Sequence, residues 1–165
     1  MPVANEFWVS LGILDQCADE ANIHFPLETG GVFMGYWSND NDVVVTAMIG
    51  PGPSAKRGQH FFEPDHEWQL AQIASNYGRS GGYDTYLGDW HSHPNSGSGQ
   101  LSWVDTRVLR KLIKAPNSRT LKPIMAILHG SPEQWNFSAH MAQLLERKMF
   151  WSRLITVEAT VKVFV

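Results

Sequence analysis

The sequence has a single cysteine, Cys17, so no disulfide can form within the chain and nothing in it demands an oxidising compartment. It lacks any run of lysine and arginine, and its net charge is −3. Phosphate backbones are gripped by clustered cations, which excludes nucleic acid as the main partner. Apolar runs are short, and none approaches the about 20 residues that span a bilayer. Met1 to Ser10 also lacks the basic region and long apolar stretch of a signal peptide. The expectation is a soluble, cytoplasmic protein that does not engage a membrane. Repeats and dividing linkers are missing too, so one domain over residues 1–165 is expected.

What is present is ordinary globular composition, with 43% hydrophobic and 18% charged residues, enough for a substantial core. Seven tryptophans stand out, and they fit either a packed interior or one contact surface. Phe7–Ser10 reads as a short strand running into a helix, where Leu14, Cys17, Ala18 and Ala21 recur at helical spacing until Pro26 stops it. Residues 31–49 read as a hairpin around the Asn/Asp turn at 38–42. Gly50-Pro51-Gly52-Pro53 breaks it, and the polar loop to Gln59 is expected to be mobile. A second helix is expected over Asp65–Tyr77, with Leu70, Ile73, Ala74 and Tyr77 as its apolar stripe. A third over Ser102–Lys114 would turn Val104, Val108, Leu109 and Leu112 inward, with Pro116 closing it. Ile124–Leu128 is apolar throughout, like a strand covered on both faces, whereas Trp135–Met141 and Ile155–Val165 alternate. The fold class is mixed α/β (α+β), with a curved, largely antiparallel sheet and helices packed against it.

Chemistry concentrates at Trp90-His91-Ser92-His93-Pro94. Side chains two apart on a strand share a face, so both imidazoles can reach one ion. Asp105, from the element that begins at Ser102, can add a carboxylate. Three such ligands leave a tetrahedral zinc with one open position, the mark of a catalytic site. Each residue also has a plain reading. A strand histidine is commonly a surface or hydrogen-bonded residue, and Ser102-x-x-Asp105 has the spacing of a helix capping box. Hydrolysis at such a zinc needs a carboxylate off the metal to carry a proton. Glu28, ahead of Thr29-Gly30-Gly31, is placed for that, or is simply a solvated turn residue. The other five histidines (24, 60, 66, 129 and 140) lack ligand spacing and read as structural or surface residues. Cys17 has no activating basic neighbour in sequence and reads as a buried thiol.

Taken together, Glu28-Thr29-Gly30-Gly31 with Phe33-Met34-Gly35, His91-Ser92-His93-Pro94 and Ser102-x-x-Asp105 resemble the JAMM (MPN+/JAB) metallopeptidases, and the likeness runs along the whole chain. Phe61-Phe62-Glu63-Pro64-Asp65 resembles a segment common in bacterial JAB proteins. The resemblance implies an MPN/JAB, cytidine deaminase-like fold. It also implies one Zn2+ held by His91, His93 and Asp105, with Glu28 as general acid/base and Ser102 stabilising an oxyanion. The stretch between His93 and Ser102 is one residue longer than the usual family spacing, and the extra residue falls among the glycines and serines of 95–99.

The compact chain carries no large insertion and is similar to stand-alone bacterial JAB proteins, some of which accompany E1/E2-like conjugation enzymes in antiphage operons. That implies a deconjugating, deubiquitinase-like isopeptidase. Its partner would be a protein with an extended C-terminal tail conjugated to an amine, the tail laid along a strand edge. E1/E2-like enzymes would be further partners. Two other expectations stand beside it: a non-catalytic MPN scaffold that binds proteins, and a hydrolase of small peptide or amino-acid conjugates.

Overall fold

Each helix begins on a side-chain cap. The computed structural model describes residues 5–115, 120, 122–147 and 151–165; the expected helix stop at Pro116 lies outside them. The hydroxyl of Ser10 accepts the Ile13 N–H at 3.2 Å and starts α1 (Leu11–His24). Asp65 accepts the Trp68 N–H at 3.1 Å and starts α2 (His66–Arg79). Ser102 accepts the Asp105 N–H at 3.2 Å and starts α3 (Trp103–Lys114). A cap of this kind is worth about 1 kcal/mol.

The strands are β1 (Glu6–Ser10), β2 (Gly30–Trp37), β3 (Asp42–Ile49), β4 (Lys56–Arg57), β5 (Phe62–Glu63), β6 (Thr85–Pro94), β7 (Ile124–Ser131), β8 (Gln134–Arg147) and β9 (Trp151–Phe164). The main sheet runs β1-β3-β2-β6-β7-β8-β9 and closes, because β9 reaches round to pair with β1. Within this sheet, among the described residues, four pairings are antiparallel, while β1/β3, β1/β9 and β6/β7 are parallel. The expected curved sheet is therefore a mixed barrel. β9 pairs with β8 over Trp151–Ala159 and with β1 over Thr160–Phe164, and this closes the sheet.

Inside the barrel Phe7, Phe33 and Trp90 are fully buried, and Phe137 packs beside them. Ring centroids of neighbouring pairs lie 5.6–6.4 Å apart. Ile13, Cys17 and Ala21 of α1 join this core. β7 is covered on both faces, as its apolar run required: Ile124, Ala126 and Leu128 face this cluster, Met125 and Ile127 the one beneath α3. The tryptophans divide between both expectations, since Trp90 is buried and Trp103 is 71% exposed.

Two stretches depart from expectation. On α2 the sheet-facing side chains are Trp68, Gln69 and Ile73, whereas Leu70, Ala74 and Tyr77 are exposed. The Gln69 amide donates to the Gly50 carbonyl at 2.9 Å, so a buried polar contact sets the helix face. On α3 Val104 is likewise exposed. The 50–59 segment is ordered: β4 pairs with β5, and the Gly58 carbonyl accepts the Glu28 N–H at 2.8 Å. Among the described residues no helix is long and apolar enough to cross a membrane.

Candidate metal centre

The site sits where β6 ends. His91 and His93 lie two apart on that strand and bring their Nε2 atoms within 2.9 Å. His91 Nε2 lies 3.1 Å from Asp105 Oδ1. One donor atom from each of His91, His93 and Asp105 falls within 4.8 Å of the others. Two imidazole nitrogens and a carboxylate oxygen turned toward one point suit a divalent transition metal, so the residues fit the ion that the sequence resemblance implies.

The two readings of Asp105 prove compatible. Its Oδ2 accepts the Ser102 N–H at 2.7 Å, which completes a capping box. Its Oδ1 is left for His91 and a metal. The capping box thus fixes the ligand at the first turn of α3, on the far side of a loop one residue longer than usual. That loop is tied down: Asn95 N–H donates to the Gly130 carbonyl at 2.6 Å, and His140 Nε2 lies 2.8 Å from the Gly99 carbonyl.

Glu28 reaches the site through the β2–β6 ladder. Gly30 pairs with His91, so the chain just ahead of β2 runs beside the histidines. A Cβ at Gly30 would strike the Trp90 carbonyl, which explains the glycine there. Ser92 N–H donates to the Thr29 carbonyl at 2.7 Å and Ser92 Oγ accepts the Thr29 N–H at 3.0 Å. On the other side the Thr29 hydroxyl donates to Glu20 at 2.7 Å and accepts from Arg57 Nε at 3.1 Å. Glu28 lines the same groove as the three donors but stands outside their cluster.

Electrostatics separate the carboxylates. Burial pushes Glu28 above the usual carboxylate range; His91 opposes this and Asp105 adds to it. Burial would raise Asp105 as well, but the hydrogen bond and charge of His91, with the Ser102 N–H, outweigh it and hold the group at about 2. Burial, followed by the neighbouring His91, lowers His93 to about 4, which keeps its imidazole neutral. Neutral imidazole and ionised carboxylate are the forms that bind a metal.

The groove beyond the histidines has a volume of about 1610 Å³. Leu70, Ile73 and Tyr77 of α2 and Val104, Val108 and Leu112 of α3 line it. Here the exposed apolar side chains of α2 find their explanation: they face the groove. His60 and His66 line it too, whereas His24 pairs with Glu20 at 3.2 Å and His140 is buried. Cys17 is a buried free thiol.

Sequence reading missed Asp89 and Tyr86. Both line the groove, and the Tyr86 hydroxyl donates to Asp89 Oδ1 at 2.7 Å. Burial raises both groups; the Tyr86 hydrogen bond lowers Asp89, while Asp89 raises Tyr86 further. Carrying the two-residue alternation back from His91 would have found Asp89. Tyr86 was hidden by a bulge, because the β2–β6 register slips where Gly88 and Tyr86 face consecutive residues, Phe33 and Met34.

Fold and site together describe a mixed α/β protein with three helices, a sheet core and a cluster able to bind a metal. The chain belongs to the family described as prokaryotic homologs of the JAB domain, whose profile matches residues 10–141. It is 42% identical over 157 residues to the probable metalloprotease y4qB of Sinorhizobium fredii, covering 95% of this chain and 96% of that one. It is 29% identical over 126 residues to a CD-NTase/cGAS isopeptidase of Enterobacter hormaechei, covering 75% and 67%. The solution structure of protein DSY2949 from Desulfitobacterium hafniense superposes with a TM-score of 0.66 at 16% identity, over 96% of this chain and 92% of that one. This last likeness concerns the fold alone. The relatives' names associate the family with metalloprotease and isopeptidase hydrolysis.

Proposed function

We propose that residues 1–165 form one JAB domain acting as a zinc-dependent isopeptidase, which releases a conjugated protein by hydrolysing the amide between its C-terminal tail and an amine. The observation that carries this is the trio of donors within 4.8 Å, with a separate buried-side carboxylate, Glu28, on the same groove. His91, His93 and Asp105 hold the ion. Zinc bound there supplies an acidified water and a Lewis acid for the scissile carbonyl.

The chain's own residues do the rest. Glu28, raised by burial, takes the proton from the attacking water and returns it to the departing amine. The Ser102 hydroxyl, which lines the groove and is shared with Asp105 in the capping box, turns its proton to the oxygen that gains charge. The tail lies extended in the groove between α2 and α3. Among the described residues β5, paired only with β4, offers the tail a strand edge in the lining of the same groove. Pockets for small ligands run to about 1000 Å³, and the larger groove here favours a chain segment over a small conjugate.

The relative named as a CD-NTase/cGAS isopeptidase supports an isopeptide bond in a conjugated protein as the target. The setting we propose is a cytoplasmic bacterial conjugation system with E1/E2-like enzymes and an antiphage role. The test is Glu28→Gln. It should retain one zinc per chain, trap conjugates in cells and fail to cleave them when purified, whereas the parent protein cleaves them. Cleavage by the variant at the parent rate would end the reading.

A further inference from the structure

On β6 the side chains of Asp89, His91 and His93 follow at two-residue spacing and all line the groove. The bulge next to Gly88 brings Tyr86 onto the same side, where its hydroxyl occupies Asp89 Oδ1. Among the described residues Asp89 Oδ2 has no hydrogen-bond partner, and the residue is only partly buried. Four carboxylates, Glu28, Glu63, Asp89 and Asp105, line the groove among the described residues; lysine and arginine are missing from that lining. Asp105 answers His91 and a metal, Glu28 is taken up by the proton transfer, and Glu63 pairs with Lys56 at 4.0 Å. Of the four, Asp89 alone is a carboxylate with a free oxygen and no counterpart in the proposed chemistry. Apart from His91, His66 is a described basic group whose charge bears on it.

We propose that Asp89 is the specificity residue of the groove, accepting a cationic side chain, guanidinium or ammonium, from the substrate tail. This rests on the isopeptidase reading, in which an extended chain enters along α2 and α3. The charge complementarity is local. Beside the apolar walls of α2 and α3 stands the Asp89 carboxylate, held in place by Tyr86, two strand residues or about 6.6 Å from the first histidine. A cation there gains a charge-assisted hydrogen bond away from bulk water. A neutral tail leaves the carboxylate unanswered, so the groove discriminates against it. The basic residue belongs within the last few positions of the tail, at one of them only, because alternate side chains of an extended chain face opposite ways.

The experiment measures binding, not turnover. Fluorescent peptides on an Ala/Leu background, ending in a free carboxylate, carry one arginine moved through the last four positions, with a matching citrulline set. The zinc-loaded parent should bind one arginine peptide at least about tenfold tighter than its citrulline partner, and Asp89→Asn should lose that difference while keeping its zinc. Equal affinity across both sets, or no binding at about 1 mM, overturns the proposal. If Asp89→Asn fails to fold, the arginine-to-citrulline contrast in the parent and in Tyr86→Phe still decides it: the contrast should persist in the parent and shrink in Tyr86→Phe. The isopeptidase reading fails by different signs, namely no zinc retained after dialysis or undiminished cleavage by Glu28→Gln.

Discussion

Ser92 and Thr29, both fully buried, are joined by three hydrogen bonds: Ser92 N–H to the Thr29 carbonyl at 2.7 Å, Thr29 N–H to Ser92 Oγ at 3.0 Å and the Ser92 hydroxyl to the Thr29 carbonyl at 3.4 Å. One residue lies between the two histidines and the other directly follows Glu28. The pair therefore ties the strand of the candidate metal ligands to the proposed proton carrier. Ser92→Ala leaves the buried Thr29 N–H without its acceptor, a loss of about 1–3 kcal/mol. The expected result is reduced stability by denaturant titration, with zinc content unchanged and kcat for amide cleavage lowered more than KM is raised. Lost zinc would mean that Ser92 supports the ligands, not Glu28.

Ser102 has an observed duty as a cap and a proposed one as an oxyanion donor, and the two can be separated. As the cap of α3 its loss to alanine should cost about 1 kcal/mol, while Ser102→Gly should cost only a few tenths. As donor to the developing oxyanion, both variants lose the hydroxyl and should lose about 100-fold or more in kcat. Near-parent stability of Ser102→Gly together with full loss of activity is the expected pattern. Activity that simply tracks stability across the two would leave the residue a cap and nothing more.

The metal cluster was legible in the sequence because its signal is local. His91 and His93 share a face by strand geometry, and Asp105 is set by a capping box that Ser102 announces. The helix starts and the doubly covered β7 were legible for the same reason. Barrel closure was not, since it depends on β9 meeting β1 across some 150 residues. The apolar stripe of α2, with Leu70, Ala74 and Tyr77, was legible from its spacing, but what it faces was not. That stripe serves the groove, while Gln69 and Trp68 turn to the sheet. Periodicity reports that a face is apolar, not what covers it. The ordered 50–59 segment was missed because its contacts, Gly58 to Glu28 and Arg57 to Thr29 and Glu20, are all nonlocal.

Gly88 has φ +153°, and a Cβ there would meet the backbone of Ile124 on the parallel neighbour β7. Neither a rotamer change nor a flexible side chain can relieve that contact. Gly88→Ala should destabilise by about 3 kcal/mol or more, strain and overpacking acting together. The same bulge sets Tyr86 and Asp89 toward the groove. A variant that still folds should therefore keep its zinc but bind tail peptides poorly. Thermal unfolding and peptide titration on one sample check both halves.

Cys17 is wholly buried, and burial, aided by the nearby Glu20 charge, pushes its thiol far above the ordinary range of about 8.5. The neutral form is therefore favoured by folding. Below pH 8.5 both folded and unfolded chains hold the proton and stability is unaffected. Above it the unfolded chain loses the proton first, so stability falls as pH rises, by up to about 1.4 kcal/mol per unit from this group. The advantage of the parent over Cys17→Ala should thus be constant near neutrality and narrow above pH 9 in paired denaturant titrations. In the native parent the thiol should also resist a disulfide reagent at pH 8, then react at one equivalent once the chain is unfolded. Rapid native labelling, or a stability gap that widens with pH, would show that the thiol is not sealed into the core between α1 and the barrel.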